Sequence, residues 1–230
     1  MGSTISFKRP DGKDVSGYLA EAARTDAPGV VVIQEWWGLN DQIRGVADRL
    51  AHAGFTALVP DLFRGRSTTL REEAHHLMTA LDFGDAAAQD VRGAAQILAA
   101  RGAPVGCIGF CMGGALTLLA ACQAPELAAA VVWYGCPPVE YVDASKIRIP
   151  LQCHWATQDE FFPLAQVEAL ETKLKAADVV VDSHRYLARH AFGNEEAVGD
   201  GRIAETQYDR AWAERAWDRS FAFLGRTLAA

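Results

Sequence analysis

The chain has 230 residues, of which 50% are apolar and 22% are charged, and its formal net charge is −7. This composition is typical of a globular protein with one large core. The acidic balance argues against nucleic acids and anionic membranes as partners. No apolar run reaches the roughly 18 residues that a membrane-spanning helix needs. The first eleven residues also lack the apolar centre of a signal peptide.

Five cysteines occur, and no two of them are spaced as C-x-x-C. The odd number and the spacing argue against a disulfide framework and against a zinc site. Cys107, Cys136 and Cys153 lie in or beside apolar runs, and free cysteine is among the most buried residue types. We therefore expect these three cysteines to be buried. Free cysteines also favour a reducing, cytoplasmic compartment. We expect no metal and no organic cofactor.

The first predicted elements form an antiparallel hairpin, with strands at 3–8 and 15–20 around a turn at Asp11-Gly12. From residue 29 onwards, apolar runs alternate with segments at helical spacing. Most of the runs are continuously apolar, which is typical of strands buried on both faces of a parallel sheet. The predicted strands cover residues 29–34, 55–60, 104–110, 128–134, 149–156 and 179–187. The predicted helices cover residues 41–53, 70–81, 86–100, 112–124, 163–176 and 205–228.

Alternating strands and helices predict an α/β fold: a mostly parallel, doubly wound sheet with helices on both faces. Active sites in such sheets form at the carboxyl ends of the strands. No repeat or linker interrupts the pattern, so residues 1–230 are interpreted as one domain. In the last helix Trp212, Trp217, Phe221 and Leu224 lie close to one face, which predicts that this helix packs on the sheet.

The most specific motif is Gly109-Phe110-Cys111-Met112-Gly113-Gly114, between a predicted strand and a predicted helix. It matches the G-x-nucleophile-x-G elbow of α/β-hydrolases, with Cys where Ser is usual. The glycines let strand and helix approach each other. The helix N-terminus offers N–H groups and positive potential, which favour a thiolate and later an oxyanion. The motif therefore predicts a nucleophile at Cys111; the alternative is a glycine-rich turn in which this cysteine only fills space.

In this class the nucleophile is followed along the chain by an acid and then a histidine. Asp159 follows the predicted strand at 149–156, and His190 follows the strand at 179–187. Asp159 is predicted to fix the imidazole tautomer, and His190 to transfer the proton. Two alternatives stay open: Asp159 is only a helix cap, or Glu160 is the acid.

Five motifs, in this order and spacing, resemble the dienelactone hydrolase (carboxymethylenebutenolidase) family over most of the chain. They are Gln34-Glu35-Trp36-Trp37-Gly38, Pro60-Asp61-Leu62-Phe63, the elbow at Cys111, Gln158-Asp159-Glu160-Phe161-Phe162-Pro163 and His190-Ala191-Phe192. The resemblance implies an α/β-hydrolase acting on a small lactone or ester, with conversion of dienelactone to maleylacetate as the default reaction. We expect a small-molecule substrate, no nucleic-acid or membrane partner, and a monomer or small homo-oligomer.

The resemblance also implies roles for single residues. Cys111, His190 and Asp159 correspond to the catalytic triad. Glu35 corresponds to a carboxylate that exchanges between a buried position and the nucleophile, which yields the reactive thiolate. The oxyanion hole corresponds to the backbone N–H groups of Trp36 and Met112.

The residues around Glu35 support a special role independently. Glu35 ends an apolar run and precedes two tryptophans. A carboxylate beside so much apolar surface is costly unless it is paired or protonated, so we expect a perturbed pKa and a functional role. The alternative is an ordinary buried glutamate with hydrogen-bond partners.

Substrate binding is predicted mainly from the resemblance. Arg71 corresponds to an arginine that pairs with the substrate carboxylate, although an isolated Arg at a helix start is usually solvated. A second arginine is expected four residues after the histidine, where this chain has Asn194. Asn194 can donate a hydrogen bond but brings no charge, and charge-assisted hydrogen bonds are about twice as strong. Arg64, Arg66 and Arg189 are candidates to supply the missing charge.

Aromatic side chains near these motifs are candidate pocket walls, although aromatic residues lie as often in the core. They are Trp36, Trp37, Tyr134 and Phe192.

Two other functions fit the same motifs. An acyltransferase, or a hydrolase of another small ester or thioester, would use the same nucleophile. A non-catalytic binding or redox protein could also have this fold, because function resides in the site and not in the fold.

Overall fold

The protein, described here by a computed structural model over residues 2–199 and 202–228, contains one eight-stranded sheet. Its strands are β1 (Ser3–Lys8), β2 (Asp14–Ala20), β3 (Gly29–Ile33), β4 (Thr56–Pro60), β5 (Val105–Phe110), β6 (Leu127–Trp133), β7 (Leu151–Ala156) and β8 (Val181–Tyr186). The spatial order is β1-β2-β4-β3-β5-β6-β7-β8. Strands β1 and β2 form the predicted hairpin, β2 pairs antiparallel with β4, and all other pairs are parallel. The predicted mostly parallel sheet with an N-terminal hairpin is confirmed.

Helices cover both faces of the sheet. They are α1 (Asp41–His52), α2 (Arg71–Thr79), α3 (Phe83–Asp85), α4 (Arg92–Ala99), α5 (Met112–Gln123), α6 (Leu164–Ala176) and α7 (Arg210–Leu228), with a π-helical segment (Ala86–Val91) between α3 and α4. Successive side chains of β3 enter opposite layers. Val31 belongs to the core cluster that includes residues of α2, α4, α5 and α6, and Val32 belongs to the cluster that includes residues of α1 and α7. This alternation explains why the central strands are apolar throughout.

The last helix begins at Arg210 rather than at residue 205, which corrects the sequence-based boundary. Residues 206–209 bond to the segment after β8 instead. The Gln207 N–H donates to the His190 carbonyl, and the Asp209 N–H donates to the Phe192 carbonyl. The Asp209 side chain then accepts from the Trp212 N–H, so it caps the helix.

Trp217 and Leu224 of α7 are buried, and Trp212 and Phe221 pack beside them half-buried, as predicted. Cys107, Cys136 and Cys153 are buried, as predicted, and none of the five cysteines forms a disulfide. Within residues 2–199 and 202–228, no helix combines the length and the apolar content needed to cross a bilayer.

Candidate active site

The turn between β5 and α5 holds Cys111 in a rarely populated backbone conformation. Its φ is +54° and its ψ is −119°, and a non-glycine residue with positive φ is strained. The Cys111 N–H donates to the Trp133 carbonyl at 3.0 Å, which anchors the turn to β6. Cys111 is half-buried and lines a cavity at the carboxyl ends of the strands.

The glycines of the motif permit close backbone contacts around this turn. A Cβ atom on Gly109 would overlap the carbonyl of Gly113, and one on Gly113 would overlap the carbonyl of Ile33. A third contact was not anticipated: a Cβ on Gly135, after β6, would overlap the Cys111 carbonyl. Glycine is therefore required where β3, β5 and β6 approach the start of α5.

His190 and Asp159 meet as the chain order predicts. The His190 Nδ1 lies 2.8 Å from Asp159 Oδ2, and both side chains are almost inaccessible. The other oxygen, Asp159 Oδ1, accepts from the N–H groups of Phe161 and Phe162 at 2.9 and 3.0 Å. Glu160 is exposed. Asp159 thus orients the imidazole and also organises the turn before α6.

The pKa of His190 is raised from 6.5 to about 10. Burial alone would lower it, but the negative charge of a Cys111 thiolate and the hydrogen bond to Asp159 raise it more strongly. An opposite charge favours the protonated imidazole. When Cys111 is a thiolate, His190 is therefore held in its protonated form.

Glu35 is buried just past β3, and each of its oxygens accepts a hydrogen bond. The Tyr134 hydroxyl donates to Oε1 at 3.1 Å, and the Asn194 amide donates to Oε2 at 2.7 Å. Burial raises the pKa of Glu35, while the charge of His190 and the two hydrogen bonds oppose the rise. The expected perturbed carboxylate is present, and both of its partners are neutral.

Tyr134 is fixed as a donor to Glu35. Its pKa is raised well above 10 by burial and by the charge of Glu35, so the hydroxyl stays protonated. Its ring also packs edge-on against His190, with ring centroids 5.2 Å apart.

Two backbone amides of the cavity wall have free N–H groups. Among the residues that the structure describes, neither Trp36 nor Met112 donates its N–H to a protein acceptor. Met112 is the first residue of α5, where N–H groups have no partner within the helix. These two amides are the ones predicted to bind an oxyanion.

A cavity of 710 Å³ surrounds these groups. Its lining residues are Glu35, Trp36, Trp37, Met78, Asp82, Phe83, Gly84, Cys111, Met112, Ala115, Leu119, Gln123, Cys136, Pro137, Pro138, Tyr141, Phe161, Phe162, His190, Ala191 and Thr206. Trp36 and Trp37 are among them, as predicted. Phe192 is instead fully buried and stacks on Trp133, with ring centroids 5.5 Å apart, so its position is that of a core residue.

Arg71 does not line this cavity. Its guanidinium is half exposed and lies 3.4 Å from a carboxylate oxygen of Glu205. The other arginines considered for anion binding are also engaged elsewhere: Arg64 with Asp90 at 2.9 Å, and Arg189 with the Ala204 carbonyl at 2.8 Å.

Arg66 is close to the Phe63 carbonyl, 3.4 Å from it, and it too is absent from the lining. Within the described residues, the lining contains no Arg or Lys, and no group of His, Cys, Asp and Glu could hold a metal ion.

The sequence model of the dienelactone hydrolase family matches residues 15–228. The chain belongs to the dienelactone hydrolase family. Protein usf of Aquifex pyrophilus is 33% identical over 99% of this chain and 100% of its own length. The carboxymethylenebutenolidase of Pseudomonas putida is 30% identical over 85% of this chain and 87% of its own length.

The solved structure named m3DLH superimposes with a TM-score of 0.85 at 27% identity, covering 99% of both chains. Family membership indicates a hydrolase with a small-molecule substrate, and the superposition confirms the predicted fold class.

Sequence reasoning missed the link Tyr134–Glu35–Asn194, because it assigned the two outer residues to substrate. It also missed most of the cavity wall. The sequence did contain a pattern for the α5 side of this wall. Ala115 and Leu119 follow Cys111 at intervals of four, the spacing that keeps residues on one helix face. The loop residues Pro137, Pro138 and Tyr141 carried no comparable pattern.

Proposed function

We propose that this chain hydrolyses a carboxylic ester or lactone by covalent catalysis at Cys111. The observation that carries the proposal is the strained elbow of Cys111 in one cavity with His190, whose Nδ1 is held by Asp159 at 2.8 Å. A nucleophile, a base and a group that orients the base are the parts that covalent acyl transfer needs.

In the first step the Cys111 thiolate attacks the carbonyl carbon, and the carbonyl oxygen becomes an oxyanion. The free N–H groups of Trp36 and Met112 would stabilise that charge. As the tetrahedral intermediate collapses, the His190 imidazolium gives its proton to the leaving alkoxide, and a thioester remains on Cys111. In a lactone, the released alcohol stays attached to the acyl group.

In the second step His190, now neutral, removes a proton from water, and the resulting hydroxide attacks the thioester. Collapse of this intermediate releases the carboxylic acid and restores the thiolate and the imidazolium. Glu35 lies near enough to His190 for their charges to interact. Before the first turnover, when Cys111 still carries its proton, we assign to Glu35 the role of accepting it as the hydrogen bonds of Glu35 to Tyr134 and Asn194 open. Each later cycle returns the thiolate itself.

Dienelactone, giving maleylacetate, is the first substrate to test, because the Pseudomonas putida relative is named carboxymethylenebutenolidase. Its carboxylate finds no arginine or lysine in the described lining, so a neutral ester, p-nitrophenyl acetate, is tested beside it.

The decisive experiment compares Cys111→Ala and Cys111→Ser on dienelactone and on p-nitrophenyl acetate. Loss of both activities in Cys111→Ala, with trapping of a thioester on wild-type Cys111 by mass spectrometry, supports the proposal. Full activity of Cys111→Ala would end it.

A further inference from the structure

The cavity continues far beyond Cys111 along one face of α5. Cys111, Ala115, Leu119 and Gln123 all line it, each four residues after the one before. Residues at this interval are neighbours on a helix surface, and the row winds slowly around the helix axis. With a rise of 1.5 Å per residue, the row from Cys111 to Gln123 is about 18 Å long. A lactone with one short carboxylate arm would leave most of this length unfilled.

The walls of this α5 groove are apolar. Ala115 and Leu119 form its helix side, and α3 packs against α5 nearby. Other apolar residues of the cavity lining include Met78, Phe83, Cys136, Pro137, Pro138 and Tyr141. Covering such a surface with a hydrocarbon chain is favourable, because it removes apolar area from water. A polar chain would gain few hydrogen bonds from the same walls.

The charged groups in the cavity disfavour an anion. The imidazolium of His190 lies beside the nucleophile. The carboxyl groups in the lining are Glu35 and Asp82, and Asp82 is exposed at the groove. No Arg or Lys of the described ranges joins them. A substrate carboxylate in the groove would lose hydration without gaining a partner and would be repelled by Asp82.

We propose that the preferred substrate is a neutral ester with an unbranched apolar chain, which lies along α5 from Cys111 towards Gln123. This inference rests on the proposed function, since it places the ester carbonyl at Cys111. The chain belongs to the acyl or to the alcohol part of the ester, and the two substrate series below distinguish these cases.

The test measures kcat/KM for p-nitrophenyl esters from acetate to decanoate, and for alkyl acetates from methyl to decyl. If each added methylene were fully buried, kcat/KM would rise about fourfold per methylene. We expect a rise of about tenfold or more from the two-carbon to the eight-carbon member in one series. A flat or falling profile in both series would overturn the inference.

Variants of the wall localise the effect. Leu119→Trp should fill the groove and lower the ratio of octanoate to acetate activity. The matched control is Ile97→Trp, on the outer surface of α4, where an equally large ring should leave the ratio unchanged. Tyr141→Ser should also lower the ratio, and Tyr141 is 68% exposed, so this variant should fold. If the ratio of octanoate to acetate activity is the same in Leu119→Trp, Tyr141→Ser and Ile97→Trp, the substrate chain does not bind in this groove.

A charge test uses p-nitrophenyl hexanoate and mono-p-nitrophenyl adipate, which differ only in a terminal carboxylate. We expect wild type to prefer hexanoate. Asp82→Asn should reduce the preference for hexanoate over adipate about fivefold. The asparagine side chain can still accept the hydrogen bond that the Asp85 N–H now donates to Asp82, so the helix cap should be kept. Equal use of both esters by wild type would refute the neutral-substrate inference.

Cys111→Ala separates the two proposals. If this variant retains activity on every ester, the proposed function fails. If it loses activity on every ester while wild type shows no chain-length dependence, only the present inference fails.

Discussion

The Asn194 amide donates to Oε2 of Glu35 at 2.7 Å, in the interior beside the nucleophile turn. A neutral side chain therefore holds this carboxyl group where the family resemblance led us to expect an arginine. The hydrogen bond connects the segment after β8 to the end of β3, and it leaves Glu35 without a cationic partner other than His190.

Replacing Asn194 by Leu should destabilise the protein. The substitution leaves Oε2 of Glu35 buried without a donor and also removes the acceptor for the Glu196 N–H. An unsatisfied buried group costs about 1–3 kcal/mol of the free energy of unfolding, which urea denaturation measures. Gln207→Leu, at an exposed position, is the control; an equal loss in both variants would contradict this role of Asn194.

Replacing Asn194 by Arg should improve the use of anionic substrates. A guanidinium that reaches the bound substrate would give its carboxylate a charge-assisted hydrogen bond, which is stronger than a neutral one by about 1 kcal/mol. The kcat/KM ratio of dienelactone to p-nitrophenyl acetate should then rise about fivefold. Gln207→Arg adds the same charge at an exposed position instead of beside Glu35, so a similar rise of this ratio there would mean that net charge alone is responsible.

Asp159→Asn should lower kcat with little change in folding. The amide oxygen can still accept from the Phe161 and Phe162 N–H groups, but the neutral side chain no longer stabilises the His190 imidazolium or fixes its tautomer. The corresponding change in serine triads costs about 10⁴-fold in kcat, and we expect a loss of similar order here. Glu160→Gln, at an exposed position, should stay near wild type; the reverse result would identify Glu160 as the acid.

Removal of the Cys111 thiolate should lower the pKa of His190. In wild type the pKa is raised to about 10, with the charge of Cys111 opposing the effect of burial. In Cys111→Ala burial remains and the charge is gone, so the imidazole should release its proton at a lower pH. NMR titration of ¹⁵N-labelled histidine measures this. Cys107→Ala, elsewhere in the core, should leave the titration unchanged, and an unchanged His190 in Cys111→Ala would contradict the ion pair.

His154 should make the protein sensitive to acid. It is fully buried in β7, where it contacts Tyr186 and Ser220, and burial holds its pKa well below 6.5. Below pH 6.5 the unfolded chain takes up a proton that the folded state does not bind, so stability decreases as the pH falls. The slope contributed by one such group reaches about 1.4 kcal/mol per pH unit.

Urea denaturation between pH 7 and 5 tests this dependence. In His154→Gln, which can keep part of the hydrogen bonding, the slope should be shallower than in wild type. His184 stacks on His154, and burial lowers its pKa too, so some slope of the same sign should remain. An unchanged slope in His154→Gln would exclude His154 as the cause. His52→Gln, at an exposed position, is the control.

Local pattern was enough to predict the sheet and the elements that position the nucleophile, since continuous apolar runs and the glycines around Cys111 have local physical causes. It was less informative for α7, because the bonds between residues 206–209 and the His190 segment join parts of the chain that only the fold brings together. The same holds for Asn194 and Tyr134, whose partner Glu35 is distant in sequence.

The candidate site joins segments that follow β3, β5, β6, β7 and β8, so it cannot form locally. Glu35 and His190 become neighbours only after every parallel pairing between β3 and β8 has formed. Such non-local pairings form slowly. During refolding, recovered hydrolysis would thus mark the end of assembly, and it should lag behind the tryptophan fluorescence change that accompanies collapse.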